Sequence, residues 1–191
     1  MNEAIFNWIT GSLSSEDCQT LNRLAADIPV NGGILDLNCG NGRSTVSMAL
    51  ALRPNVTITA IDSHITNPLS DSPYQEGSLM TFLSALRRCR VVHRVIPIVA
   101  PIHMIDKVVN KRSHNLVVVQ SPATVTPSLN EDVLVRSIEL AKYAIRRSGI
   151  IVVCCPNPAY RPVFDRMIDQ QFRGMEQVCV SAGIVGFRYD E

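Results

Sequence analysis

The chain has 191 residues, enough for one hydrophobic core with a small extension and too few for two average domains. Apolar residues make up 46% of it and charged residues 18%, a balance that excludes an intrinsically disordered segment. With 18 Lys and Arg against 17 Asp and Glu, the formal net charge is +1, so no global field draws in polyanions, and a nucleic-acid partner would have to be argued from a local patch.

The first residues, MNEAIFNWITGSLSSEDCQ, lack the basic start and unbroken apolar run of a signal peptide, and no window holds 18 uninterrupted apolar residues. The expectation is a cytoplasmic protein that does not cross a membrane, a single domain over 1–191 whose first 30 residues form a helical extension. A helix is predicted over 15–27, starting at Ser14 or Ser15, with Leu21, Leu24 and Ala25 on its apolar face. After the turn at Asn31, Gly32 and Gly33, a short buried strand, Ile34 to Leu37, runs into the loop Asn38, Cys39, Gly40, Asn41, Gly42 and a helix from Arg43 to Leu52. Pro54 and Asn55 break that helix, and Val56 to Ile61 is the second strand, with Asp62 at its end.

Residues 63–77 hold two prolines and no usable period, as a lid or binding loop would. An amphipathic helix from Ser78 to Cys89 follows, with Leu79, Phe82, Leu83 and Leu86 on one face. Val91 to Val99 reads as the third strand despite Pro97, Ile102 to Val109 as a short helix and Leu116 to Val119 as the fourth strand. Leu134, Ile138, Ala141 and Ile145 mark a helix over 131–147, capped by Gly149 and followed by a strand from Ile150 to Cys155. A last helix spans 162–172, and Gln177–Val180 with Ile184–Tyr189 flank a turn and form an edge hairpin. The alternation of strands and helices predicts an α/β fold, a doubly wound, mostly parallel sheet with helices on both faces and an antiparallel C-terminal edge. The six cysteines show no CxxC spacing and read as buried free thiols.

In such sheets ligands bind beyond the carboxyl ends of the strands. The loop 38–42 offers bare backbone and helix-start N–H groups, Ser44 adds a hydroxyl, and Asp62, 20 residues after Gly42, can accept hydrogen bonds from ribose hydroxyls, with Ser63 beside it. The alternative is a loop that only makes a tight turn, with Asp62 as a solvated strand end. A dinucleotide site would want a third glycine or alanine where Thr45 stands, which counts against NAD, and Asp36 before the glycines is placed to meet a cationic amine.

ILDLNCGNGRSTVSMAL and TAIDSH resemble the first motif and the ribose-binding motif of the class I S-adenosylmethionine-dependent methyltransferases, particularly the small stand-alone members called methyltransferase domain 24, in which a G-x-S-T run follows the glycines, here Gly42, Arg43, Ser44, Thr45. The similarity extends through VIPIVAPI, NLVVVQSP and RRSGIIVVCC, covering roughly 13–156. It implies a Rossmann-like three-layer α/β/α architecture and S-adenosylmethionine as cofactor. The methionine part would lie against Asp36, Asn38, Cys39, Gly40, Asn41, Gly42 and Ser44, the ribose on Asp62 and Ser63, and the methyl group and adenine near Gln120 and the backbone of 100–102.

Asn38 replaces the family's first glycine, a position at which Asn tolerates positive φ. Asn115 and Gln120 stand where relatives have acids, and Cys154 and Cys155 where many have His-Asp, so no metal site is expected. Ser121-Pro122 lacks the second proline and the aromatic of amino-methylating nucleic-acid enzymes and reads as a turn. His64, His103 and Tyr74 are loose candidates near the active face, and no catalytic base is assigned. Arg87, Arg88, Arg90, His93 and Arg94 fall at the opposite edge and read as a helix end and solvated surface; with 5% aromatics, base-stacking platforms are scarce. The expectation is methyl transfer to a small molecule by a monomer or homodimer, with a catalytically degenerate cofactor-binding protein as the second reading and an NAD-dependent enzyme as the third.

Overall fold

A computed structural model describes residues 8–64, 79–121, 127–155 and 161–190. In chain order the elements are α1 (Ser15–Ala26), β1 (Gly33–Leu37), α2 (Arg43–Ala49), β2 (Thr57–Asp62), α3 (Leu79–Arg88), β3 (Val95–Val99), β4 (His114–Gln120), α4 (Pro127–Ala144), β5 (Ile145–Cys154), α5 (Arg161–Gln171), β6 (Gln177–Val180) and β7 (Ile184–Tyr189). The strands form one sheet in the order β3-β2-β1-β4-β5-β7-β6. β1 to β5 run parallel, and β7 is antiparallel to both β5 and β6. The doubly wound sheet with an antiparallel edge is therefore as expected, and its strand order reverses between β1 and β4.

Alternating side chains of each strand feed two cores, as the strand period of two requires. On one face Leu21 of α1, Val46 of α2 and Phe82 and Leu86 of α3 pack over Ile34, Ile58 and Leu116. On the other, Ile105, Leu134 and Ile138, with Phe164 of α5, cover Leu35, Ile61, Val117 and Ile151. Asp36 shares the first face with Ile34, which aims its carboxylate toward α2.

α1 begins at a capping box: Asp17 N–H donates to Ser14 Oγ at 3.1 Å, and Ser14 N–H returns a bond to Asp17 Oδ2 at 2.9 Å. The second Asp17 oxygen accepts from Ser181 Oγ and, at 3.1 Å, from Gly183 N–H, which ties α1 to the turn of the C-terminal hairpin.

Several element boundaries differ from expectation, among them these. Val91 is not yet in β3: Arg90 takes φ 58°, Val92–Arg94 make a single 3₁₀ turn, and pairing with β2 starts at Val95, because the chain must first turn off α3. Ile102–Lys107 is a 3₁₀ segment. α4 stops at Ala144, so Gly149 does not cap it; Ile145 already pairs with His114, and a register shift before Leu116↔Ile150 throws Arg146, Arg147 and Ser148 outward. Ile145 suits both the helix stripe and the strand, and pairing with β4 decides between them. Pro97 is tolerated because β3 is the edge strand and has a single neighbour.

Candidate functional site

In open α/β sheets the crevice that takes ligands lies at the carboxyl edge where the strand order reverses, which in this sheet is between β1 and β4. The loop 38–42 is held there by its own backbone geometry. Asn38 has φ 59°, donates its N–H to Ile61 O at 2.8 Å, and reaches with Nδ2 to Gln120 O at 3.0 Å and Ser137 Oγ at 3.2 Å, joining β1, β4 and α4. Gly42 starts α2 at φ 88°, and a Cβ there would sit 2.9 Å from the Phe82 ring, so glycine is required twice over. Gly40 has φ 51°, but a Cβ would meet nothing within 4 Å: this part of the loop faces open space.

The two acids do different work. Asp36 is 0% exposed beneath the loop, where Oδ2 accepts from Ser44 Oγ at 2.7 Å and Thr45 Oγ1 at 2.6 Å, and Oδ1 from Gln120 Nε2 at 3.3 Å. Gln120 Nε2 also reaches Ser44 Oγ at 2.6 Å. Burial pushes the Asp36 carboxyl up to about 6, against the pull of the Thr45, Ser44 and Gln120 hydrogen bonds. Ser44 and Thr45 are themselves 0% exposed, so the path of Asp36 to the surface runs through half-buried Gln120. The Asp62 side chain is 17% exposed; Oδ2 accepts Gly40 N–H at 2.8 Å and Oδ1 accepts His64 N–H at 2.7 Å. Each of its oxygens keeps a second lone pair, an arrangement able to receive a diol.

The structure thus gathers Asp36, Asn38, Gly40, Gly42, Ser44, Asp62 and Gln120 around one loop, with half-buried Ser63 beside Asp62. Cys39 turns inward, 2% exposed, its N–H bonded to Ile61 O and its carbonyl to Gly42 N–H, and burial raises its thiol well above the usual range, so it offers no group to a ligand. Asn41 turns away, Nδ2 bonding Thr10 Oγ1 at 2.8 Å. Thr45 enters the sequence reading as a missing glycine and as the end of the G-x-S-T run, without its bond to Asp36, although two adjacent hydroxyls at a helix start after a strand acid are a legible signal. The His64 side chain is 3% exposed, packed 5.4 Å from the Phe82 ring and 4.0 Å from Asp62 Oδ1; His103 is exposed on the 3₁₀ segment. Tyr74, most of the 63–77 loop and Pro122–Thr124 lie outside the described residues. Ala100 N–H bonds Asp62 O at 3.0 Å, which sets the backbone at Ala100 beside Asp62.

Among the described residues, no group of three His, Cys, Asp or Glu side chains is disposed to hold a metal ion. Cys154 and Cys155 are buried, and burial holds the Cys154 thiol far above the usual range. Of the arginine cluster, Arg94 caps α2 through Ala49 O at 3.1 Å and Leu52 O at 2.7 Å, and Arg88 lies 4.1 Å over the Trp8 ring. A cleft of about 250 Å³ bordered by Asn31, Thr57, Thr59, Asn110 and His114 lies at the amino edge, away from this loop and on the side where open parallel sheets do not take ligands. No helix of the described residues is long and apolar enough to cross a membrane.

No protein-family model matches the chain, and no curated protein matches it in sequence. Solved structures do match. A cofactor-bound protein from MTB superposes with a TM-score of 0.66 at 16% identity, covering 99% of this chain and 86% of that one. A SAM-dependent O-methyltransferase from Thermotoga maritima gives 0.64 at 12% identity over 98% of this chain and 70% of the other. An rRNA methylase from Streptococcus thermophilus gives 0.61 at 13% identity over 90% and 95%. The fold is that of the class I S-adenosylmethionine-dependent methyltransferases.

Proposed function

We propose that this chain, built on the class I methyltransferase fold, binds S-adenosylmethionine at the carboxyl edge of β1 and β2 and transfers its methyl group to a small-molecule acceptor. The observation that carries this reading is the bond from Gly40 N–H to Asp62 Oδ2, which sets a bare-backbone loop and a partly exposed carboxylate side by side at the strand-order reversal. The open space over Gly40 and the remaining lone pairs of Asp62 fit a nucleoside carrying an amino-acid tail.

In this account Asp62 receives the ribose hydroxyls, the Asn41 N–H and the N–H groups at the start of α2 face the carboxylate of the tail, the Gly40 and Gly42 amides being held by Asp62 and Cys39 O, and Gln120, fixed against Asp36 and Ser44, borders the reacting centre. Asn38 holds that geometry by spanning β1, β4 and α4. The bound cofactor supplies a methyl group already activated on a sulfonium, so the work left to the protein is alignment. With both bound, the acceptor's nucleophile would bond to the methyl carbon as the carbon–sulfur bond breaks and its electron pair stays on sulfur, giving S-adenosylhomocysteine, and the acceptor's proton would pass to solvent.

The test is product formation. The protein is incubated with S-adenosylmethionine and fractions of small hydroxyl, amine and thiol acceptors, with total RNA as a separate arm, and S-adenosylhomocysteine is measured by mass spectrometry. Acceptor-dependent release in a small-molecule fraction supports the reading, and release with RNA alone replaces the acceptor class. Cofactor binding with no release in any arm reduces the protein to a cofactor-binding one.

A further inference from the structure

The segment ahead of α1 is fastened by one side chain of the glycine loop and one from the first residue of α2. Arg43 Nη1 donates to Ile9 O at 2.9 Å, and Asn41 Nδ2 donates to Thr10 Oγ1 at 2.8 Å. A Cβ on Gly11 would lie 3.1 Å from Arg43 Cδ, so the chain passes flat against that side chain. Ile9 and Leu13 are buried, and Trp8 is clasped by the Arg88 guanidinium at the last turn of α3, 4.1 Å from the ring centre. The two anchors, Asn41 and Arg43, flank Gly42, the left-handed residue on which α2 starts and against which Phe82 of α3 packs. Asn41 Oδ1 is shut off from solvent without a hydrogen-bond partner among the described residues, a spare acceptor in the cofactor loop itself.

We propose that Asn41 and Arg43 are positioning residues that hold Trp8–Gly11 as a strap across the cofactor loop, so that seating the strap and binding the cofactor favour each other. The inference rests on the cofactor reading above. The physical basis is shared order: the loop must hold positive φ at Asn38, Gly40 and Gly42 to keep the Gly40 amide on Asp62 and to start α2, and the strap bonds are made by residues between and beside those positions. A ligand that fixes the loop lowers the entropic cost of ordering the strap, and by linkage a seated strap raises the affinity for the ligand by the same factor.

Trp8 is the chain's single tryptophan, so its emission reports on the strap alone. Wild-type protein is titrated with S-adenosylhomocysteine while acrylamide quenching of Trp8 is followed, with calorimetry on the same samples. Quenching is expected to fall on saturation with a midpoint equal to the calorimetric Kd. Thr10→Val, which removes the hydroxyl on Asn41 without touching the loop, is expected to weaken S-adenosylhomocysteine by about threefold, and Thr10→Ser to restore it. Unchanged quenching with calorimetric binding intact, or Thr10→Val binding within about 1.5-fold of wild type, overturns the strap while leaving the cofactor site standing. No calorimetric binding at all overturns the cofactor reading, and the strap with it.

Discussion

The amide of Gly40 donates to Oδ2 of Asp62 at 2.8 Å, so the glycine loop is joined to the end of β2 through a side chain as well as through the backbone bond from Asn38 N–H to Ile61 O. The same carboxylate takes His64 N–H at 2.7 Å and therefore fixes the start of the next loop as well. One carboxylate organises the backbone on both sides of the crevice and still presents acceptor capacity to it.

Asp62→Ala should therefore weaken S-adenosylhomocysteine by tenfold or more, since hydrogen bonds to a charged group are worth about 1.5–3 kcal/mol each. Asp62→Asn keeps one acceptor oxygen and should fall between. Calorimetric titration of both variants, with circular dichroism to verify the fold, gives the comparison.

The two glycines of the loop should respond differently to alanine. At Gly42 the positive φ and the 2.9 Å approach to Phe82 act together, so Gly42→Ala should cost about 2–4 kcal/mol and displace α3. At Gly40 only the φ opposes alanine, and the cost should be about 1–2 kcal/mol. Urea denaturation of the two variants measures the difference.

Asp36 makes stability depend on pH in a defined direction. Its carboxyl is raised from 3.8 unfolded to about 6 folded, so between those values the folded state holds the extra proton. The contribution is fully present below pH 3.8 and is lost as pH rises through about 6; two units correspond to about 3 kcal/mol. Wild-type stability should fall relative to Asp36→Asn between pH 4.5 and pH 7.5, about the window of that titration, when the two are followed by denaturant titration. Parallel curves would rule the effect out.

Asp17 closes the fold by joining α1 to the hairpin turn. Burial alone would raise its carboxyl, but hydrogen bonds from Ser181, Ser14 and Gly183 outweigh that and hold it below 3.8. Its contribution is present above pH 3.8 and lost as pH falls through the lowered value. Asp17→Ala leaves the Ser181 and Gly183 donors unpaired and removes the capping box, which should cost about 2–4 kcal/mol in urea denaturation.

Much of this was legible from local pattern. The glycine loop, the acid ending β2 and the C-terminal hairpin each depend on residues close in sequence, and periodicity and turn chemistry read those. The boundary at Ile145 was not, because an apolar residue four positions after Ala141 extends a helix stripe as well as it starts a strand; only pairing with His114 decides it. Arg94 reads as one of a charge cluster and turns out to cap carbonyls of another helix. Asp17 and Ser181, 164 positions apart, meet only when the sheet closes, and the Asn38 amide finds Gln120 and Ser137 for the same reason.

The central claim, that the loop after β1 and the acid after β2 form a site for S-adenosylmethionine, is tested most directly by thermal denaturation with S-adenosylmethionine, S-adenosylhomocysteine and NAD in parallel. A ligand at 100 times its Kd adds about 2.7 kcal/mol, which for a chain of this size raises the midpoint by about 5–10 °C. The account predicts that rise with the two adenosyl ligands and none with NAD. An unchanged midpoint with both adenosyl ligands in folded protein would contradict it, leaving the glycine loop as a strand-to-helix turn.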